Sequence, residues 1–314
     1  MHRQLLLMLF LAALTYGVAD AIGSSAAKSI SFDQALHAAI EDPEQTLSMQ
    51  IECTNEKGIR SLHLYSGGVA IWNQQVQVNI DSKIRAGLLE ALLKADFPSF
   101  KTHYGGKAGS GRIKAPNIVM CSIQVQTGGV EKVSYQDVNG DRSVAFLNLA
   151  AALLDAIEPL AEQGIRTRSM AEALTLLKQR KLALQVLVLR VMHLPADAEK
   201  TGEMLRIEAG QLSRRIYQPG VKVGDWETAP IDTETFQGVI QQLLDASVWS
   251  LPANLPSVDS YQMSVTILDH SLLIRSRSLN NQAVQQKTVQ GVNFTSLANS
   301  LFSLNPLAET NRME

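Results

Sequence analysis

This chain has few cysteines and a small net charge. The first excludes a disulfide-built scaffold, and the second argues against nucleic acid or an anionic membrane as a partner. The 314 residues include two cysteines, Cys53 and Cys121. Two are too few for a scaffold built on disulfides, so we expect a hydrophobic core. The net charge is −2. A charge so close to zero creates no overall field toward nucleic acid or an anionic membrane, and neither is predicted as a partner.

Signatures of catalysis and of metal binding are also missing from the sequence. No two histidines are spaced four residues apart, and none lies beside a cysteine. No G-x-S-x-G motif occurs. The segment DVNGD (137–141) has calcium-like alternation, but Asn148 stands where an EF-hand needs its glutamate. We therefore predict no metal, no cofactor and no catalytic residue, and we interpret DVNGD as a turn.

The first 21 residues have the pattern of a signal peptide. An apolar run extends from Leu5 to Val18, and Ala19 to Ala21 fit a small-residue cleavage site. The run is shorter than the roughly 20 residues that a membrane-spanning helix needs. We expect a periplasmic or secreted protein with no membrane span in the mature chain. An N-terminal core helix is the alternative.

The chain is similar to itself in three blocks that occur in the same order. DSKIRAGLLEALLKADFPSF (81–100) aligns without a gap to DTETFQGVIQQLLDASVWSL (232–251). SVAFLNLAAALL (143–154) aligns to GVNFTSLANSLF (291–302), and SFDQALHAAI (31–40) matches SMAEALTLLK (169–178) in pattern. Three ordered blocks indicate a tandem duplication.

The hydrophobic period within these blocks predicts the elements of each copy. Asp81 and Asp232 are expected helix N-caps, because their carboxylates can accept from first-turn amides. Between the helices the period changes to two, and hairpins are predicted to turn at 127–129 and at 269–270. We predict an α+β fold of two tandem hairpin–helix–hairpin–helix units, each an antiparallel four-stranded sheet with helices on one face.

These patterns divide the chain into six segments. The predicted boundaries are a signal peptide (1–21), an N-terminal helical segment (22–44), the first α+β repeat (45–160), a linker with a short helix (161–180), the second repeat (181–305) and a polar tail (306–314).

One stretch of the first repeat resembles a group of uncharacterised bacterial exported domains. The resemblance is carried by the aromatic residues Phe97, Phe100 and Tyr104, by the run from Ser122 to Val125 and by Gly128-Gly129. The same plan is similar to that of the small protease inhibitor emfourin. The Cys-containing motif near a proline that is usual in the exported domains is not found around Cys53. The resemblance therefore implies the fold and no functional residue.

A glycine-rich stretch, YGGKAGSGRIK (104–114), raises the possibility of a phosphate-binding loop. Such a loop must lead from a strand into a helix, whereas this one leads from a helix into a strand, so the interpretation fails. Its basic residues are still unusual, because no acid occurs from 101 to 116. These basic residues belong either to a solvated loop or to a contact for an acidic partner. They are Lys101, His103, Lys107, Arg112 and Lys114.

The two cysteines fall on predicted strands and have apolar counterparts in the second copy, Val191 and Met263. In an oxidising compartment they are expected to form a disulfide, with two buried thiols as the alternative.

Two functional hypotheses follow from the sequence. The first is an exported, non-enzymatic binding module, such as an inhibitor or an envelope interaction protein, whose partner is a protein or an acidic envelope component. The second is a periplasmic hydrolase or carbohydrate-active enzyme with a site between the two repeats, where facing carboxylates would reveal it.

Overall fold

The computed structural model describes residues 30–55, 58–104, 120–136, 143–194, 201–217, 224–257, 260–278 and 289–304. Three predictions lie outside these residues: the signal peptide (1–21), the DVNGD turn (137–141) and the polar tail (306–314). Most of the basic loop also lies outside them.

The described residues of the first half form three α-helices and seven strands. The helices are α1 (Phe32–Glu41), α2 (Ser82–Lys94) and α3 (Val144–Ala161). The strands are β1 (Leu47–Asn55), β2 (Gly58–Tyr65), β3 (Val69–Trp72), β4 (Val76–Asn79), β5 (His103–Tyr104), β6 (Met120–Thr127) and β7 (Val130–Gln136).

The second half has the same elements in the same order. Its helices are α4 (Met170–Lys178), α5 (Thr233–Asp245) and α6 (Val289–Phe302). Its strands are β8 (Leu187–Leu194), β9 (Gly202–Glu208), β10 (Gln211–Tyr217), β11 (Glu227–Pro230), β12 (Asn254–Ser257), β13 (Ser260–Ile267) and β14 (His270–Ser278).

Each half forms one seven-stranded sheet, and the strand orders are equivalent. They are β4-β3-β2-β1-β6-β7-β5 in the first sheet and β11-β10-β9-β8-β13-β14-β12 in the second. All the pairings are antiparallel except those of the short edge strands β5 and β12, which run parallel to β7 and β14. The α+β fold with two similar sheets is as predicted, but each sheet has seven strands and not four.

The hairpin formed by β3 and β4 escaped prediction because its strands are short and its turn carries a weak signal. The hairpin between β3 and β4 turns through Asn73 and Gln74, whose φ angles are 51° and 57°. Left-handed turns of this kind are usually marked by glycine. Asn73 instead accepts a hydrogen bond from the Ser61 N–H at 2.7 Å, which holds the turn. The edge strand β5 has only two residues, so it shows no period.

The first aligned block has the same local structure in both halves. Asp81 caps α2 by accepting from the Ile84 N–H at 2.7 Å, and Asp232 caps α5 by accepting from Thr235 at 2.8 Å. Hydrogen bonds from the side chain and the backbone of Thr235 lower the pKa of Asp232. The predicted N-caps are thus confirmed. In both halves the second residue after the helix has a positive φ, namely Asp96 (54°) and Ser247 (45°).

The helices cover one side of each sheet and enclose two separate hydrophobic cores. In the first core α1 contributes Leu36 and Ala39, and in the second α4 contributes Leu174 and Leu177. The sequence placed both of these helices outside the repeats. In the structure each helix belongs to the core of its own half, because its apolar face is buried there.

Cys53 and Cys121 lie opposite each other in the pair formed by β1 and β6, on the side of the sheet that carries the helices. They form a disulfide, with the Cα atoms 4.2 Å apart. The structure therefore has the bridge and not the two thiols. At the same position of the second sheet, Val191 lies opposite Met263.

The two halves meet through the edge strand β4. Gln77 forms two backbone hydrogen bonds with Ile165, at 2.8 and 3.0 Å, and its side-chain Oε1 accepts from the Ala183 N–H at 2.7 Å. Ile71 packs against the second core. The segment between the repeats thus completes the edge of the first sheet.

One described helix, α3, is long and apolar enough to cross a membrane by length and composition. Its buried residues, which include Phe146, Leu153 and Ile157, belong to the first core. A core helix of a soluble protein meets the same criteria of length and composition.

Candidate functional site

The predicted basic loop is only partly described by the structure. The Lys101 N–H donates to the Tyr104 hydroxyl at 3.1 Å, and the Lys101 carbonyl accepts from Ser134 Oγ at 2.9 Å. His103 stacks on Tyr135 with the ring centroids 4.5 Å apart. Both residues thus begin the loop at the β5 edge of the first sheet. Lys107, Arg112 and Lys114 lie outside the described residues, so the grouping of the five stays a prediction.

A different cluster of charge lies on the side of the second sheet that carries no helix. Because side chains alternate along a strand, Arg190 points away from the core that its neighbours Leu189 and Val191 enter. Arg206 lies directly opposite Arg190, on β9. Arg215 follows on β10. We call these three arginines, together with Glu208 and Trp226, the arginine face.

Trp226 organises two of the three guanidinium groups. Its ring lies 4.9 Å from the Arg206 guanidinium carbon and 4.5 Å from that of Arg215. Arg215 also donates from Nη2 to Met204 Sδ at 3.3 Å. Cation–π contacts of this kind hold arginine side chains in place while leaving their N–H groups free to bind.

Glu208 is the carboxylate that the neighbouring arginines share. Its Oε2 lies 3.4 Å from Arg190 Nη2 and 3.7 Å from Arg206 Nη1. Both distances exceed the 2.7–2.9 Å or so of a strong charge-assisted hydrogen bond. With three guanidinium groups and this one carboxylate, the arginine face has an excess of positive charge.

A hydrogen-bonded array of three side chains lies on the corresponding side of the first sheet. Ser48 Oγ is 2.9 Å from His63 Nε2, and the Tyr65 hydroxyl is 2.8 Å from His63 Nδ1. Burial lowers the pKa of His63 to about 4, so the imidazole is neutral at pH 7. In the tautomer with the hydrogen on Nδ1, His63 donates to Tyr65 and accepts from the Ser48 hydroxyl, and in the other tautomer both directions are reversed.

Electrostatics connect this array to the arginine face. Burial raises the pKa of the Tyr65 phenol, and the Glu208 carboxylate raises it further. Glu208 therefore acts on both groups, one in each half of the chain. A neutral phenol can both donate and accept a hydrogen bond.

Sequence reasoning missed both groups, although one signal was available. Arg190 is the single charged residue in the apolar strand sequence QVLVLRV (185–191). A charge at that place in a strand suggests that the side chain faces away from the core. Ser48, His63 and Tyr65 had no comparable signal, because only the pairing of β1 with β2 brings Ser48 next to the other two.

Within the described ranges, no group of three or more histidine, cysteine, aspartate or glutamate side chains is arranged to hold a metal ion.

The chain was also compared with known proteins. No family model and no curated protein matches it. Among solved structures, m157 from mouse cytomegalovirus is 9% identical, with a TM-score of 0.20, over 77% of this chain and 94% of that one. The β chain of DNA polymerase III from Streptococcus pneumoniae is 10% identical, with a TM-score of 0.14, over 83% of this chain and 62% of that one. Likenesses at this level carry no argument about function.

Proposed function

We propose that the protein is an exported, non-enzymatic binding module that holds a protein partner of the cell envelope through the arginine face. The observation that carries the proposal is the position of the Trp226 ring, 4.9 and 4.5 Å from two guanidinium groups on the side of the second sheet that carries no helix. Tryptophan and arginine are enriched among the residues that contribute most to binding between proteins.

The contacts of the arginine face also support binding on energetic grounds. An arginine that is already held by an aromatic ring loses less side-chain freedom when a partner arrives. A sheet face supplies rigid backbone beneath these side chains, so their spacing is preserved on binding.

Export is part of the proposal. It is supported by the apolar start of the chain and by the buried disulfide Cys53–Cys121, which is consistent with an oxidising compartment. The basic residues Lys101, His103, Lys107, Arg112 and Lys114 are proposed as a second contact with the same partner.

Quantitative capture of partners from envelope extract by the full-length protein tests this proposal. Trp226→Ala should reduce capture of the partner about tenfold or more, as expected for a binding hot spot. Ser122→Ala, on the helix-free side of the first sheet, serves as the matched control and should leave capture unchanged. Thermal unfolding of both variants checks that they are folded. A partner captured equally by Trp226→Ala and by the wild type would overturn the proposal.

The second candidate is the periplasmic hydrolase, which the Ser48–His63–Tyr65 array favours. In an acyl transfer, Ser48 Oγ would attack the carbonyl carbon while His63 Nε2 accepts its proton. Two observations weigh against this role. A histidine with a pKa of about 4 is a weak base. The neighbouring Leu47 N–H already donates to Ser66 Oγ at 2.9 Å, so it is not available to an oxyanion.

A fluorophosphonate probe separates the two candidates. The binding proposal predicts no labelling of Ser48. Labelling of the wild type that is lost in Ser48→Ala and in His63→Ala would support the hydrolase.

A further inference from the structure

Two like charges face each other on adjacent strands at the centre of the arginine face. Arg190 on β8 and Arg206 on β9 are direct cross-strand partners. Like charges placed opposite each other destabilise a sheet. A protein that keeps such a pair gains stability whenever a negative group comes between the two guanidinium groups.

The negative charge that the protein itself supplies is incomplete. Glu208 is shared between Arg190 and Arg206 at 3.4 and 3.7 Å, and its side chain is 38% exposed. Arg190 is 40% exposed and Arg206 is 24% exposed. The two guanidinium groups are therefore accessible to a second carboxylate, and they are partly removed from water, which strengthens the attraction.

The surroundings of these charges indicate what kind of molecule carries the carboxylate. Met192 lies opposite Met204 across the same strand pair, and Leu273 on β14 is 38% exposed. Methionine is common at adaptable protein-binding surfaces. A polyphosphate or a nucleic acid backbone has no apolar group to place against these side chains, whereas a protein segment has.

We propose that the arginine face binds an acidic protein segment in which apolar side chains are interspersed among carboxylates. One carboxylate pairs with Arg190 and Arg206, a second pairs with Arg215, and the apolar side chains cover Met192, Met204 and Leu273. This assignment rests on the proposed function and specifies the chemistry of the partner.

The first sheet offers a natural control at the same place. There Glu52 on β1 lies opposite Ser61 on β2. These residues correspond to Arg190 and Arg206, because each pair lies next to the matched core positions Cys53 and Val191. A site that recognises carboxylates through the two arginines has no equivalent in the first sheet.

Fluorescence anisotropy with the full-length protein tests the assignment. The probe is the labelled octapeptide Glu-Glu-Leu-Glu-Glu-Leu-Glu-Glu, with the peptide in which glutamine replaces every glutamate as its neutral counterpart. We expect Arg206→Ser and the neutral peptide each to raise the Kd about tenfold or more. Arg206→Lys keeps the charge without the two-pronged geometry and should give an intermediate Kd. Ser61→Ala in the first sheet should leave the Kd unchanged.

Two outcomes would overturn the assignment. The first is a peptide Kd that is the same for Arg206→Ser and the wild type, both shown to be folded by thermal unfolding. The second is sodium polyphosphate that binds more tightly than the peptide at equal charge concentration, which would assign the face to a phosphate polymer. If partner capture still depends on Trp226 but survives the change Arg190→Glu with Arg206→Ser, the binding function stands and the acidic partner is wrong.

Discussion

At the centre of the first sheet Cys53 is bridged to Cys121 on the helix side, and at the same place in the second sheet Val191 faces Met263. All four are apolar and buried. On the opposite side, the neighbouring residue is Glu52 in the first sheet and Arg190 in the second. The two copies therefore agree on the side of the sheet that packs against the helices and differ on the side that carries no helix.

This difference indicates where each copy is free to specialise. The helix side must exclude water in both halves, so its residue types are restricted to apolar side chains of similar volume. The side without helices is not restricted to apolar residues, although part of it is buried as well, for example at Tyr65 and Ser213. The first sheet uses it for the Ser48–His63–Tyr65 array, and the second uses it for the arginine face. We infer that the two halves differ in function through the residues on these two helix-free sides.

The largest expected effect comes from replacing the bridge with the residues of the second sheet. Cys53→Val with Cys121→Met keeps the site apolar but removes the cross-link, which joins residues 68 apart in sequence. In the chain-entropy model the loss is roughly 4 kcal/mol of unfolding free energy. Urea unfolding measures it. A reductant should destabilise the wild type and leave the double variant unchanged, and equal stability without reductant would contradict the prediction.

The second prediction concerns the pH dependence of stability that His63 causes on the helix-free side of the first sheet. Burial holds the pKa of His63 at about 4 in the folded chain, below its ordinary value of 6.5. As the pH falls from 6.5 towards 4, the unfolded chain binds the proton first, so stability is lost across this window. The loss is at most about 3 kcal/mol.

Urea unfolding across that window measures the effect in the wild type and in His63→Gln. The variant should lose less stability as the pH falls, because glutamine does not titrate. Tyr65→Phe is a second probe, since it removes the hydroxyl that bonds Nδ1. Identical pH profiles for the wild type and His63→Gln would show that His63 does not set the dependence.

The third prediction uses a difference inside the cores. Arg85 of α2 is 2% exposed and donates from Nη1 to the Ala39 carbonyl at 2.7 Å, whereas the aligned residue of α5 is Phe236. Burial lowers the pKa of the guanidinium, while Asp42 and Glu44 oppose that shift. Arg85→Ala should destabilise the protein by about 2 kcal/mol, because it leaves a cavity at the end of α1.

Arg85→Phe, which copies the second half, should recover most of that loss, since an apolar side chain can replace a buried charge without penalty. Thermal unfolding of the two variants measures the difference. If Arg85→Phe is as unstable as Arg85→Ala, the guanidinium contributes through its bond to Ala39 and not through its volume.

The smallest expected effect is at a glycine that both copies keep. A Cβ placed on Gly87 or on Gly238 would meet no atom within 4 Å. Each lies inside a helix, where alanine is favoured over glycine by up to about 1 kcal/mol. Gly87→Ala and Gly238→Ala should therefore each raise the unfolding midpoint by a similar small amount. Opposite signs at the two positions would mean that the two helices are not equivalent.

Sequence patterns alone predicted much of the repeated framework. The capping aspartates, the helices of the aligned blocks, the turn at Gly128-Gly129 and the α+β class depend on local spacing, and local spacing is visible in one chain. The count of strands was wrong because β3, β4 and the strands at the sheet edges have at most four residues each, and because the turn between β3 and β4 has no glycine. The candidate site was mostly missed for a different reason.

What the sequence determined by itself is which residues turn toward a core, because the hydrophobic period records burial directly. Only the tertiary structure decided which polar residues meet. Ser48 reaches His63 across a strand pair, Arg190 faces Arg206 across another, and Trp226 reaches β9 and β10 from beyond them. These meetings depend on strand register and order, which arise from long-range pairing and leave no period in the chain.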